Sequence, residues 1–132
     1  MQQPNLYKIA KETLNPRIIS RNGEVGHVAS ALLTEAGNVY TGVAITVPCS
    51  IGFCAEHSAI AAMVTANESK IVKIVAVYED GSILPPCGRC REFISQINDE
   101  NDTCEVLLPN NVIKTLGELL PDRWDYKWNL KN

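Results

Sequence analysis

The sequence holds no apolar run long enough to span a bilayer, which takes about 20 residues. Its first residues, Met1 to Asn5, show no cationic segment leading into a hydrophobic one. Neither a membrane span nor a secretory signal is therefore expected. Basic residues are not in excess: 12 Lys and Arg stand against 15 Asp and Glu, for a net charge of −3 and a pI near 5.3. That leaves no basic stripe to track a phosphate backbone. Nucleic acid is not an expected partner, and a small diffusible substrate is. Internal repeats, low-complexity tracts and linkers are also missing, so the 132 residues read as one domain, 1–132, large enough to bury a core. What is present is five cysteines, an odd number. In a chain without a signal segment, a Cys-x-x-Cys pair reads as metal or redox chemistry in a reducing cytoplasm.

Periodicity places the elements. Leu6, Ile9, Ala10 and Leu14 share a helical face that ends at Asn15-Pro16. Residues 20–24 form a polar loop. Residues 28–34 and 39–46 read as antiparallel strands across a turn at 35–38. A loop over 47–53 leads into a helix over 54–67, apolar at Ala59, Ile60, Met63 and Val64. Residues 71–78 are β-branched and nearly continuous, as in a strand buried on both faces. A turn at 80–82 and Pro85-Pro86 precede a second helix over 87–98. An acidic solvated loop to Asp102, a strand over 104–108, a turn at 109–111 and an edge strand over 112–115 follow. The tail holds one helical turn from Leu116 and then Trp124, Tyr126 and Trp128, expected to pack or to meet another subunit. The order α-β-β-α-β-α-β-β-α predicts helices on both faces of a mixed sheet.

Two short pieces open the two central helices: Cys54-Ala55-Glu56-His57 and Pro86-Cys87-Gly88-Arg89-Cys90. Cys87 and Cys90 are one turn apart on one helix face, and Cys54 arrives from the other helix start. Free N–H groups and the positive dipole end favour thiolate at both places. Three thiolates can bind Zn²⁺ and leave the fourth tetrahedral position to water, as catalytic zinc sites do. Glu56, two residues from a ligand and not itself one, is placed to shuttle protons. Arg89, with His57, is expected to donate hydrogen bonds to the thiolates and offset their charge. This is the signature of the zinc-dependent nucleobase deaminases. Cys49 and Cys104 are expected to be a loop thiol and a core residue, since three ligands suffice.

The motifs resemble the cytidine deaminase family along nearly the whole chain, and within it most of all the blasticidin-S deaminase group. The resemblance is carried by Val28-Ala29-Ser30-Ala31-Leu32, Tyr40-Thr41-Gly42-Val43, Cys54-Ala55-Glu56, Ile74-Val75-Ala76, Pro86-Cys87-Gly88-Arg89-Cys90-Arg91, Glu118-Leu119-Leu120-Pro121 and Trp128. It implies a three-layer α/β/α sandwich with a five-stranded mixed sheet, one zinc per subunit and a homotetramer. It implies hydrolytic deamination of an aminopyrimidine, with the Ala55 N–H and a carbonyl near Pro85 holding the ring. Ser30, His27 and Trp128 complete the expected substrate contacts. Where ordinary cytidine deaminases carry Asn-x-Glu to hold ribose, this chain has Ala44-Ile45-Thr46, and Gly26 stands where they carry Phe. A blasticidin S-like or modified cytidine substrate is therefore favoured over cytidine or deoxycytidine. Three other readings compete: a nucleic-acid editing deaminase, a zinc-stabilised interaction module without activity, and a thiol redox protein.

Overall fold

Alternate residues of the central strands point to opposite faces of one sheet, and each face carries its own apolar cluster. A computed structural model describes residues 3–129, apart from the side chains of Tyr126 and Asn129. In chain order the elements are α1 (Leu6–Thr13), β1 (Arg17–Ser20), β2 (Gly23–Thr34), β3 (Val39–Thr46), α2 (Ala55–Thr65), β4 (Ile71–Tyr78), α3 (Gly88–Ile97), β5 (Glu105–Leu108), β6 (Val112–Thr115), α4 (Leu116–Leu119) and α5 (Tyr126–Asn129). Leu32, Ile74 and Val106 turn to one face, where they meet Ala59, Ile60 and Met63 of α2 and Ile94 of α3. Ala31, Leu33, Val75 and Val77 turn to the other, under Leu6 and Ala10 of α1. The α/β/α layering is as expected.

The hub is β2. Along one edge it pairs antiparallel with β3; the other edge is shared, β1 taking Gly23 to Val25 and β4 taking Val28 to Thr34. Next to β4 lies β5 in parallel, then β6 antiparallel at the far edge. A parallel step requires a crossover, and α3 supplies it. Because β4 follows α2 and precedes α3, both helix starts come to the same side of the sheet.

The sheet therefore has six strands rather than five. The additional strand, β1, is exposed along its whole length, with Ile18 74% and Ile19 54% accessible. No buried face imposes alternation on it, so only its pairing with the start of β2 defines it. Two other expectations are corrected. Val64 is exposed, on the outer side of α2. The acidic stretch is not simply solvated: Asp99–Thr103 forms a 3₁₀ turn around a fully buried Asn101. Its Oδ1 accepts from the Ile71 N–H (2.9 Å), and its Nδ2 donates to the carbonyls of Ile94 (3.0 Å) and Ser69 (3.2 Å).

One glycine sets the seat of α2. A Cβ on Gly42 of β3 would lie 2.4 Å from the Ala59 nitrogen and 2.4 Å from the Ser58 Cβ. Only glycine allows strand and helix to approach so closely. Beside it, the Ser58 hydroxyl donates to the Val43 carbonyl at 2.8 Å.

Candidate active site

Both helices at the sheet's end begin on a cysteine. Cys54 is the N-cap of α2 and Cys87 the N-cap of α3. Neither offers the oxygen acceptor that serine, threonine or aspartate brings to such a position. Cys90, one turn into α3, is fully buried. The Cys54 and Cys87 sulfurs are 3.5 Å apart, and those of Cys87 and Cys90 3.4 Å. His57, one turn beyond Cys54, brings its Nδ1 to 3.6 Å from the Cys90 sulfur and stacks on Phe93 at 4.4 Å between ring centres. The ligand atoms of Cys54, His57 and Cys90 all lie within 4.8 Å of one another. Two overlapping triads thus share Cys54 and Cys90.

The donor set fits zinc. Thiolates bound at about 2.3 Å around a tetrahedral ion stand about 3.8 Å from each other, close to the spacing these sulfurs already have. Their electrostatics call for a cation. Burial pushes the Cys54 and Cys90 thiols up, and the Glu56 carboxyl adds to the effect on both. At Cys87 burial also works against the thiolate, but the N–H groups of Cys90 and Arg89 and the neighbouring thiols outweigh it and hold its pKa below the ordinary value. Three thiolates this close repel one another, and a divalent ion among them removes that repulsion. Cys104, away from the cluster, is a buried core thiol pushed up to about 12 by burial, and Cys49 is an exposed loop thiol.

Glu56, only 5% exposed, sits in the first turn of α2. Burial raises its pKa, and hydrogen bonds from its own backbone N–H and from the Cys90 thiol offset part of that. The His57 pKa is pushed the other way, first by burial and then by the positive charge of Arg89, which both favour the neutral ring. The Arg89 guanidinium itself reaches across to the loop before α2, Nη1 donating to the Gly52 carbonyl at 3.5 Å.

The remaining expected residues fall in different places. Ala55 is buried at the start of α2, and Pro85 is exposed on the approach to Cys87. Ser30 is fully buried and spends its hydroxyl on the Val75 carbonyl at 2.8 Å. His27 lies where the register of β2 shifts, between Val25 and Ala29, with Nδ1 3.0 Å from Glu79. Trp128 belongs to α5 and is exposed, its ring 5.5 Å from that of Trp124, whose indole N–H donates to Glu92 at 2.8 Å. A cleft of about 320 Å³ beside Cys54 is lined by Ala44, Thr46, Val47, Ser50 and Phe53. Phe93, the platform for His57, escaped the sequence reading; Arg91 stood in the motif that carries the resemblance but without a role, since its acceptors are main-chain carbonyls that no side-chain pattern reveals.

A buried carboxyl beside a thiol cluster at two helix starts suits a metal-dependent centre on an α/β/α scaffold. The family model for the cytidine and deoxycytidylate deaminase zinc-binding region matches residues 3–104, and the chain belongs to that family. It is a hydrolytic deaminase with zinc as cofactor. It is 33% identical over 97 residues to a cytidine deaminase of Mycobacterium tuberculosis, covering 72% of this chain and 70% of that one. With a blasticidin-S deaminase of Bacillus cereus it shares 35% over 107 residues, covering 72% and 74%. The crystal structure of cytidine deaminase from Mycobacterium tuberculosis superposes with a TM-score of 0.75 at 27% identity, covering 90% of this chain and 94% of that one.

Proposed function

We propose that the chain hydrolyses the exocyclic amine of the cytosine moiety in a small nucleoside-like molecule, releasing ammonia. The observation that carries this is Glu56: a buried carboxyl of raised pKa in contact with the Cys90 sulfur. A carboxyl raised above its ordinary value and set beside the thiol cluster is suited to take and return a proton, as deamination requires. Cys54, Cys87 and Cys90 would hold the zinc. Bound there, zinc supplies a Lewis acid that makes water nucleophilic at neutral pH. Glu56 would take one proton from the attacking water and pass it to the ring nitrogen, then take the second from the hydroxyl so formed on the ring carbon and hand it to the departing amine. Cytosine and water thus become uracil and ammonia.

In this reading the Ala55 N–H, at the positive end of α2, donates to the ring carbonyl and a carbonyl near Pro85 accepts from the amine, as the family resemblance implies. The wall formed by Ala44, Thr46, Val47 and Phe53 carries no ionised side chain, which fits an uncharged portion of the substrate. A blasticidin S-like or modified cytidine substrate is our first reading, supported by Ala44-Ile45-Thr46 in place of the ribose-holding pair. Cytidine itself is the second, supported by the similarity to cytidine deaminases. His27 is a candidate substrate contact, and Ser30 acts through the strand that carries it. No helix among the described residues is long and apolar enough to cross a membrane. We place the enzyme in the cytoplasm as a homotetramer, with Trp128 free to face a neighbouring subunit.

Ammonia release from cytidine, deoxycytidine, cytosine, 5-methylcytosine and blasticidin S tests the reading. Glu56→Gln is expected to cut kcat by about 10²–10⁴-fold while zinc content stays unchanged. A Glu56→Gln protein as active as the parent overturns the assignment. Cys87→Ser is expected to lose zinc and His57→Ala to keep it; the reverse would make Cys54, His57 and Cys90 the ligands.

A further inference from the structure

We propose that Arg91 is the residue that positions Cys87 for the metal, by bracing the peptide that leads into it against the end of α4. This rests on the zinc reading above.

Cys87 needs such a brace. It is exposed, and Pro85, Gly88 and Arg89 around it are exposed as well. A Cβ on Gly88 would meet nothing within 4 Å. Apart from the buried Pro86 and the two neighbouring sulfurs, little packs against the residue. The Arg91 side chain holds the carbonyl before the residue, and the ordinary helix bond of its main chain holds the one after. Its Nε donates to the Pro86 carbonyl at 2.8 Å, and its main-chain N–H donates to the Cys87 carbonyl at 3.0 Å. The guanidinium then continues outward, Nη1 donating to the Leu119 carbonyl at 3.1 Å.

That last acceptor is a fixed point. Leu119 ends α4, where helix carbonyls lack main-chain partners and the dipole is negative, so a cation is favoured there. The helix is held by Leu116, fully buried, whose N–H donates to the Cys104 carbonyl at 2.8 Å. At its other end Thr115 and Glu118 close a capping box. Rigidity thus passes from the core through α4 to Arg91 and on to Pro86 and Cys87. The placement has a cost, since a cation near the start of α3 opposes that helix's own dipole. Two charge-assisted bonds in different directions offset it. A planar guanidinium can make both at once and an ammonium cannot.

The test uses the zinc-loaded, full-length protein with Arg91→Lys and Arg91→Met. Arg123→Ala is the control: it loosens the tail by removing the 2.9 Å bond to Asp102 and touches neither Pro86 nor Leu119. Zinc transfer to a competing chelator is followed by absorbance. The thiolate-to-metal charge-transfer band is read after cobalt substitution. Both Arg91 variants are expected to bind zinc about 10–100-fold more weakly, the range typical for partners that orient metal ligands. Their cobalt band should be weaker, while Arg123→Ala keeps the parent's values. If Arg91→Met does not fold, Arg91→Lys, which keeps charge and most of the volume, decides. Arg91 variants that match the parent in both readouts overturn the inference. A parent protein that takes up no zinc would instead overturn the reading it rests on.

Discussion

Replacing Asn101 by alanine is expected to cost the fold about as much as removing a large core side chain, although residues 99–102 look like surface. Its three hydrogen bonds each contribute about 1 kcal/mol net, so truncation is worth about 3 kcal/mol, more if the abandoned groups stay dry. Those groups are the Ile71 N–H and the Ser69 and Ile94 carbonyls, and the side chain that serves them is fully buried. With an m-value of about 2 kcal/mol/M, urea unfolding of Asn101→Ala should shift its midpoint down by about 1.5 M. The measurement is far-ultraviolet circular dichroism of zinc-saturated protein at one fixed concentration, since a bound ion and any association both feed into apparent stability. Asn101→Asp should be no better at pH 7, because a carboxylate oxygen would replace the amide that now donates to two carbonyls. Activity per folded, zinc-loaded molecule should stay near the parent's, as Asn101 touches only the far end of α3 and the start of β4. A midpoint shift below about 0.5 M would mean the three groups find other partners, and the argument from buried hydrogen bonds would fail.

Further expectations concern the seat of α2 and the rim of the sheet. Gly42→Ala would press a methyl group into the α2 backbone, at a cost of about 1–3 kcal/mol; because that helix carries Cys54 and Glu56, zinc retention should fall with stability, and an unchanged metal content would contradict the coupling. Glu68 accepts from the Tyr40 hydroxyl (2.6 Å) and the Asn38 amide (2.8 Å), and bonds from Thr34, Tyr40 and Asn38 hold its carboxyl below the usual range. Its contribution is present above the unfolded-chain value and is lost as pH falls through the lower folded value. The urea midpoints of the parent and Glu68→Gln should therefore differ at pH 7 and converge below about pH 4.

How much of this could be read from residues alone depends on range and on which groups serve as partners. The thiol cluster was legible because its spacing is local: two residues between Cys87 and Cys90, and a helix start at each motif. The central strand β4 was legible because burial on both faces leaves an unbroken apolar run. By contrast, β1 is held by main-chain pairing with exposed side chains, so hydropathy carries no trace of it. Asn101 was hidden by acidic neighbours that do face water. Arg89 was expected on the sulfurs and instead bonds the Gly52 carbonyl while lowering the His57 pKa by its charge. In each of these cases at least one partner is a main-chain atom, which a sequence does not distinguish.

The cysteines at the N-caps carry a consequence for the life of the protein. A helix that begins on serine or aspartate satisfies its first amide groups by itself, whereas α2 and α3 begin on cysteines that make no side-chain cap bond. Binding energy from the metal is thereby also helix-initiation energy. A chain made under zinc starvation would carry two fraying helix starts side by side, open to proteolysis and to oxidation at the same residues. If the N-cap cysteines hold the ion, its supply would govern not only how fast each molecule works but how long it survives.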